Sequence, residues 1–427
     1  MQDSRRQEAL LLVPVAVLLL AGSSLYYALA PLPENRFLFV GAVLLACLYY
    51  VLHFLLVLQA KGADQLLLPI TAMLTSLGLI FLYHLDPNLA VKQWFWTVLG
   101  LVAMAFIILA VRDYHWLAEF KYTFILLGLA FLVLTVLIGD ETGGARSWLS
   151  LGQFRFQPAE VVKLLVIIFM AAYLSEYKES IIGYGDSKNP FRLDLQGFGP
   201  LLVVGGLLIV LLVVQKDLGA ALIFFGLILS MVYVASGRVW LVVLGLWAFG
   251  AASLLAYYLF PHVQTRVAIW YNPWPLADGP GYQIVQTFFS LAQGGILGMG
   301  VGMSNPRFIP AAATDFIFAV AGGELGFLGA SLILFLYAVI GWRGLGAAAS
   351  APDDFGLLLA GGLAMLFSLQ TLVIIGGILK LLPLTGVTLP LMSYGGSSLV
   401  INYLMLGLLI RLTALFASPE GTAVHED

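Results

Sequence analysis

The 427-residue chain is 61% hydrophobic and 10% charged, where soluble domains carry about 25% charged residues, so it is not composed for water. Its net charge of −3 comes without any basic stripe, which excludes a nucleic-acid partner. The single cysteine, Cys47, rules out disulfides and a cysteine metal site, and His53, His84, His115, His262 and His425 show no ligand spacing.

Apolar runs of about 20 residues recur from end to end, each long enough to cross a bilayer. The fold class is therefore an all-α polytopic membrane protein. Arg5 and Arg6 precede a first run from Ala9 to Ala30 that is too long for a signal-peptide core and reads as an uncleaved anchor. Twelve spans follow the hydropathy: 9–30, 37–59, 65–84, 92–111, 119–138, 158–175, 198–214, 218–236, 238–259, 315–342, 355–379 and 396–416. With the N-terminus inside, the cytoplasmic side collects Arg5, Arg6, Lys61, Arg112, Lys121, Lys178, Lys188, Arg192, Arg238, Arg343 and Arg411, which places both termini in the cytoplasm.

Against that trend, Arg146, Arg155, Lys216, Arg266, Arg307 and Lys380 fall in or beside external segments. Basic groups gathered there suit an anionic ligand such as phosphate or pyrophosphate, while each one singly also reads as a residue snorkelling to the lipid interface. In QPAEVVKLL, Pro158 suits a first helical turn, and Glu160 and Lys163 at i and i+3 can pair on one face. That pair reads equally as structural or as part of a binding site. Lys216 and Asp217 of QKDLG occupy a turn between two spans, where a polar hairpin explains them as well as a ligand does.

The segment from Phe260 to Thr314 is too long for an idle connection. Within it Gln283, Gln286, Ser290 and Gln293 form a polar stripe at helical spacing. Next comes PAAATDFIFAVAGGELG, where Asp315 opens an apolar run. As a helix cap it would contribute about 0.5–2 kcal/mol, but Thr314 is a substitute cap, which leaves the aspartate available for chemistry. Glu324, nine residues further, lies half a turn out of phase on an ideal helix. The two acids therefore make no catalytic dyad, and Glu324 reads as structural. The last external stretch, LLPLTGVTLPLMSYGGSSLV, is irregular yet apolar, so it must be buried in protein or line a cavity. Its run Gly395 to Ser398 would present free amides to an anion.

In order along the chain, GGARSWLSLGQFRFQPAEVVK, QKDLGAAL, GYQIVQTFFSLAQGGILGMGVG, ATDFIFAVAGGELGFLG and LPLTGVTLPLMSYGGSSLV resemble the signature segments of the SEDS (shape, elongation, division and sporulation) family, the RodA- and FtsW-like proteins. The resemblance spans residues 65–416. It implies a ten-span core preceded by two additional helices in residues 1–64, external loops 139–157, 260–314 and 380–395, and a cytoplasmic tail 417–427. Departures are Ala313 where many members have His, Gly323 where many have Glu, Lys216 for a usual Pro, and Ile374 for a common Asn.

The resemblance further implies a peptidoglycan glycosyltransferase that polymerises lipid II at the outer face of the bacterial cytoplasmic membrane, for elongation or division. By position, Asp315 matches the family's essential aspartate, acting as base or holding a divalent cation (magnesium or manganese). Arg146, Glu160 and Lys163 match its cavity block, and Gln283, Ser393, Ser397 and Ser398 fall in other signature segments. With Lys216, Asp217, Arg266 and Lys380 they form the expected substrate-binding set. Implied partners are a class B penicillin-binding protein and other elongation or division proteins. A flippase for a lipid-linked precursor and a non-catalytic scaffold for a transpeptidase are the competing readings.

Overall fold

The structure is a computed structural model, describing residues 5–29, 33–142, 144–152, 154–178 and 195–417. Lys188, Arg192, His425 and residues 418–427 of the tail lie outside them. The described helices are α1 (Arg6–Leu29), α2 (Pro33–Gln59), α3 (Leu67–Leu85), α4 (Pro87–Ala110), α5 (Trp116–Glu119), α6 (Lys121–Ile138), α7 (Pro158–Glu176) and α8 (Leu195–Val214). There follow α9 (Leu218–Ser236), α10 (Val239–Leu259), α11 (Pro261–Tyr271), α12 (Tyr282–Gly294), α13 (Ile317–Ala349), α14 (Asp354–Ile378) and α15 (Gly396–Phe416). Twelve of the described helices are long and apolar enough to cross a membrane, so the chain is a multi-pass membrane protein.

Local chemistry sets the helix boundaries. Asp86 accepts from the Asn88 amide at 2.8 Å, and Pro87 takes the first helical position. That cap starts α4 five residues before the hydropathy edge at 92. Asp217 caps α9 by accepting from Ala220 N at 3.0 Å, and Gly237, at φ 65°, closes its other end. The loop expected at 139–157 contains a three-stranded antiparallel meander of β1 (Asp140–Thr142), β2 (Ala145–Leu151) and β3 (Phe154–Phe156). The long connection 260–314 contains α11 and α12.

The chain divides into two compact units. The first comprises residues 1–112, 265–343 and 370–427. Here α15 packs along α4, and α1 and α2 pack on α3 and α4. A buried hydroxyl chain ties these helices together: Tyr49 of α2 meets Tyr403 of α15 at 2.9 Å, and Tyr403 donates to Thr75 of α3 at 3.0 Å. At one end of α3, Arg5 donates to the carbonyls of Ala60 and Ala63 at 3.0 and 2.8 Å, and Arg343 pairs with Asp64. At that end too, Arg411 donates to Gln59 O at 2.8 Å. The second unit comprises residues 113–264 and 344–369, with α7 buried against α6 and α9.

The expected span 315–342 proves to be broken. Within α13, Gly326 adopts φ 66° and ψ −167°, separating residues 317–325 from the remainder. The loop after α12 enters this break: Met299 N and Gly300 N donate to the carbonyls of Gly323 and Glu324 at 3.1 and 3.0 Å. Phe327 N and Leu328 N in turn donate to the carbonyls of Gly295 and Ile296 at 2.9 and 3.1 Å. A Cβ at Gly326 would stand 2.2 Å from Gly298 N, so only glycine fits. Gly326→Ala is expected to destabilise the protein by about 2 kcal/mol or more, read as a lower thermal midpoint in detergent.

Candidate active site

Asp315 sits in the turn before α13. Ala311, at φ 55°, turns its carbonyl to receive the amides of Thr314 and Asp315, both at 3.1 Å. The Thr314 hydroxyl donates to the same carbonyl at 3.2 Å. It therefore points back into the turn and is not the helix cap that the sequence suggests. The left-handed Ala311 is the kind of backbone outlier held only where its surroundings over-determine it.

Asp315 is half-buried. A Cβ on Gly386 would lie 3.7 Å from Asp315 Oδ2 and 3.8 Å from Arg266 Nη2, so the carboxylate and guanidinium flank one small space. Gly386 itself has φ 72°, which favours glycine and keeps that space free of a side chain. Arg266 is oriented by the loop, since its Nη1 donates to the carbonyls of Leu384 and Thr385 at 3.3 Å each. Opposite charges and a bare backbone thus converge, and a guanidinium is a group suited to an anion.

The C-terminal loop is held from several helices. Gln93 of α4 donates to Ser393 O at 3.0 Å and accepts from Gly395 N at 3.3 Å. Gln370 of α14 donates to Thr388 O at 2.9 Å. Tyr394 N donates to Ala313 O at 2.8 Å, and the Ser393 hydroxyl donates to Thr314 O. Ser398 accepts from Thr388 Oγ1 at 3.2 Å and from Asn402 at 3.3 Å. Ser393, Ser397 and Ser398 are buried, and Gly396 lies against the Trp96 ring, where a Cβ would be 2.3 Å from it. The run Gly395 to Ser398 therefore builds the loop instead of opening an anion seat. Burial, and secondarily the Asp86 carboxylate, raise the Tyr394 phenol above its ordinary pKa, so it remains a neutral hydroxyl at the loop.

Two other expected contacts take different forms. Lys380 donates to Tyr271 O at 3.2 Å while its own carbonyl accepts from the Trp270 indole at 3.2 Å, so it docks α11 onto the loop. Gln283 is half-buried on α12, with its carbonyl accepting from Thr287 at 2.8 Å. Glu324, expected to be structural, is fully buried and receives three donors: His84 Nδ1 at 2.5 Å, Ser304 at 3.0 Å and Gly302 N at 3.1 Å.

The second unit holds the remaining members of the set. Lys163 Nζ lies 2.8 Å from Glu160 Oε2, both side chains buried, but off the line that a hydrogen bond needs. The contact is thus chiefly one of charge. Arg146 is exposed on β2: its amide donates to Gln215 O at 2.8 Å and its guanidinium reaches Val136 O at 3.3 Å. Lys216 lies 3.9 Å from Glu141, both exposed, a pairing worth little in water. Asp217 is committed to its cap.

No group of three or more His, Cys, Asp or Glu side chains suited to a metal occurs among the described residues. Asp315 offers one carboxylate with a guanidinium close by, a donor set that does not fit a dedicated cation cage. Sequence reading passed over Gln93, Gln370 and Gly386. The two amides were the available signal, each a polar side chain in an apolar span.

Fold and site define a membrane-embedded protein whose acid and guanidinium flank an irregular loop at Gly386. A family model described as cell cycle protein, the FtsW/RodA/SpoVE family, matches residues 65–416. The chain is 41% identical over 369 residues to the peptidoglycan glycosyltransferase RodA of Mycobacterium tuberculosis, covering 83% of this chain and 78% of that one. It is 35% identical over 373 residues to the stage V sporulation protein E of Bacillus subtilis, covering 83% and 98%. Among solved structures it resembles a chain from a study of how a peptidoglycan synthase complex coordinates polymerization and crosslinking, with TM-score 0.69, 28% identity, and 82% and 97% coverage. The chain belongs to the FtsW/RodA/SpoVE family. Gln93→Met, which leaves Ser393 O and Gly395 N without their partner, is expected to cost about 1–3 kcal/mol, measured as a fall in thermal midpoint.

Proposed function

We propose that this membrane protein is a peptidoglycan glycosyltransferase that polymerises lipid II, with Asp315 as the reacting carboxylate. The observation that carries the assignment is the pairing of Asp315 with Arg266 around Gly386. In the transfer, the acceptor's sugar 4-hydroxyl attacks the donor's anomeric carbon, and the bond from that carbon to the undecaprenyl pyrophosphate oxygen breaks. Asp315 takes the hydroxyl proton as general base, a contribution of roughly 10²–10⁴-fold in such catalysis. Arg266 stabilises the charge gathering on the departing pyrophosphate, and its loop contacts hold it ready without reorganisation.

Arg146, Glu160, Lys163, Lys216, Asp217, Gln283, Lys380 and the loop serines are the further residues we assign to substrate binding or to the framework around it. The hydrogen bonds above support a framework role for Lys380, Asp217, Ser393 and Ser398.

Orientation follows from the first unit. Arg5, Arg343 and Arg411 gather at the Leu67 end of α3, whereas Tyr394, beside the Asp315 turn, feels Asp86 just past its other end. With the positive-inside trend, this supports termini in the cytoplasm and Asp315 at the outer face of the bacterial cytoplasmic membrane. The resemblance to a chain of a complex that also crosslinks supports a transpeptidase partner, in this family a class B penicillin-binding protein. A flippase would place its working charges at the bilayer midplane on broken helices, whereas the deep charge of the broken helix α13, Glu324, is enclosed and paired; a scaffold would need no acid beside a guanidinium.

Labelled lipid II, polymerised by the purified protein with its partner, tests the assignment. Asp315→Asn is expected to lower the rate about 100-fold or more while the protein stays folded. Normal polymerisation by that variant would refute the assignment. Arg266→Lys, which keeps the charge but loses the planar fork, is expected to slow turnover about tenfold; an unchanged rate would remove Arg266 from the leaving-group role.

A further inference from the structure

The break in α13 isolates a nine-residue helical block, 317–325, between the Asp315 turn and Gly326. At its start, the preceding turn is fixed by Tyr394 N on Ala313 O and by the Ser393 hydroxyl on Thr314 O. Midway, the Ser290 hydroxyl of α12 donates to Ala319 O at 3.1 Å. At its end, Gly323 and Glu324 present carbonyls to the loop amides of Met299 and Gly300. The Glu324 side chain closes the same end, gripping α3 through His84 and the loop through Gly302 and Ser304.

A carboxylate buried at membrane depth is costly unless its lone pairs are filled. Glu324 is the group through which α3, the loop 300–304 and the broken helix meet. A backbone break filled only for stability would be served by the loop's own amides and carbonyls, which already bond the two sides of Gly326. The side-chain clasp adds a constraint of another kind: it joins the block to α3, a helix buried along most of its length, and so fixes how far the block can slide or turn.

We propose that Glu324 is a positioning residue for Asp315, clamping the far end of the block so that the Asp315 carboxylate keeps its place beside Arg266. The proposal rests on the reading of Asp315 as the reacting carboxylate. Loss of the clasp shifts the block, and a displacement of about 1 Å at a reacting group costs about 10²-fold in rate. Substrate binding spread over other residues is unaffected.

The test uses the full-length protein with its partner, labelled lipid II as probe, and three variants in parallel: Glu324→Gln, Ser304→Ala and Asp315→Asn. Glu324→Gln is expected to lower kcat per folded molecule at least about tenfold with KM within about twofold. Ser304→Ala removes a single donor and leaves His84 and Gly302 in place, so it keeps the test open if Glu324→Gln folds poorly. It is expected to lower kcat about threefold at unchanged KM. An unchanged kcat per folded molecule, or a rise in KM at constant kcat, overturns the positioning role. If that happens while Asp315→Asn is inactive, only the role of Glu324 falls. An active Asp315→Asn overturns the reading of Asp315 and this proposal with it.

Discussion

Backbone amides and carbonyls at membrane depth have no water to satisfy them, and each one left alone costs several kcal/mol. Two irregular features of the first unit follow from this constraint. At Gly326 and in the C-terminal loop the chain leaves regular helix, and both times another part of the chain supplies the missing partners. At Gly326 they come from backbone, the loop 295–300 bonding both sides of the gap. In the C-terminal loop they come from side chains, chiefly the buried amides Gln93 and Gln370.

The two solutions differ in what they permit. Backbone pairing demands close approach and therefore glycine: a Cβ at Gly298 would be 2.1 Å from Glu324 O. Such a junction tolerates no substitution, yet it needs no specific side chain nearby. Amide side chains reach further and can serve a donor and an acceptor together, as Gln93 does at Ser393 and Gly395. They hold the loop at the height where Gly386 exposes bare backbone between Asp315 and Arg266. Rigid fastening on one side and an open backbone on the other make a place where charged substrate groups can enter without competing side chains.

Most of the architecture was legible because hydropathy alone separates apolar spans of this length. The span 218–236 coincides with α9, and 396–416 with α15. Boundaries drifted where caps decide them: Asp86 and Pro87 begin α4 before its sequence becomes apolar. The break in α13 stayed hidden because its partners, residues 295–300, lie some 25 positions earlier, and one glycine among the many here carries no signal of its own. For the same reason Glu324 read as structural from its phase on an ideal helix, although the helix is not ideal there and the residue's three donors come from α3 and a loop. Asp315 was legible because an acid at the mouth of an apolar run is rare. Its relation to Arg266 was not, since they lie 49 positions apart with α12 between them.

On the proposed reading, a lipid-linked substrate explains why the acid stands where it does. Undecaprenyl pyrophosphate keeps its tail in hydrocarbon and its charge at the interface, so the scissile bond is confined to a thin layer near the head groups. A carboxylate at the opening of a transmembrane helix lies in that layer, and one several turns deeper, such as Glu324, does not. The deeper acid is enclosed and fully paired, and it shapes structure. The shallower acid is half-buried beside a guanidinium, in a layer where a sugar hydroxyl and a pyrophosphate can both reach it. Depth, more than residue type, divides the work between the carboxylate in the turn before this helix and the one within it.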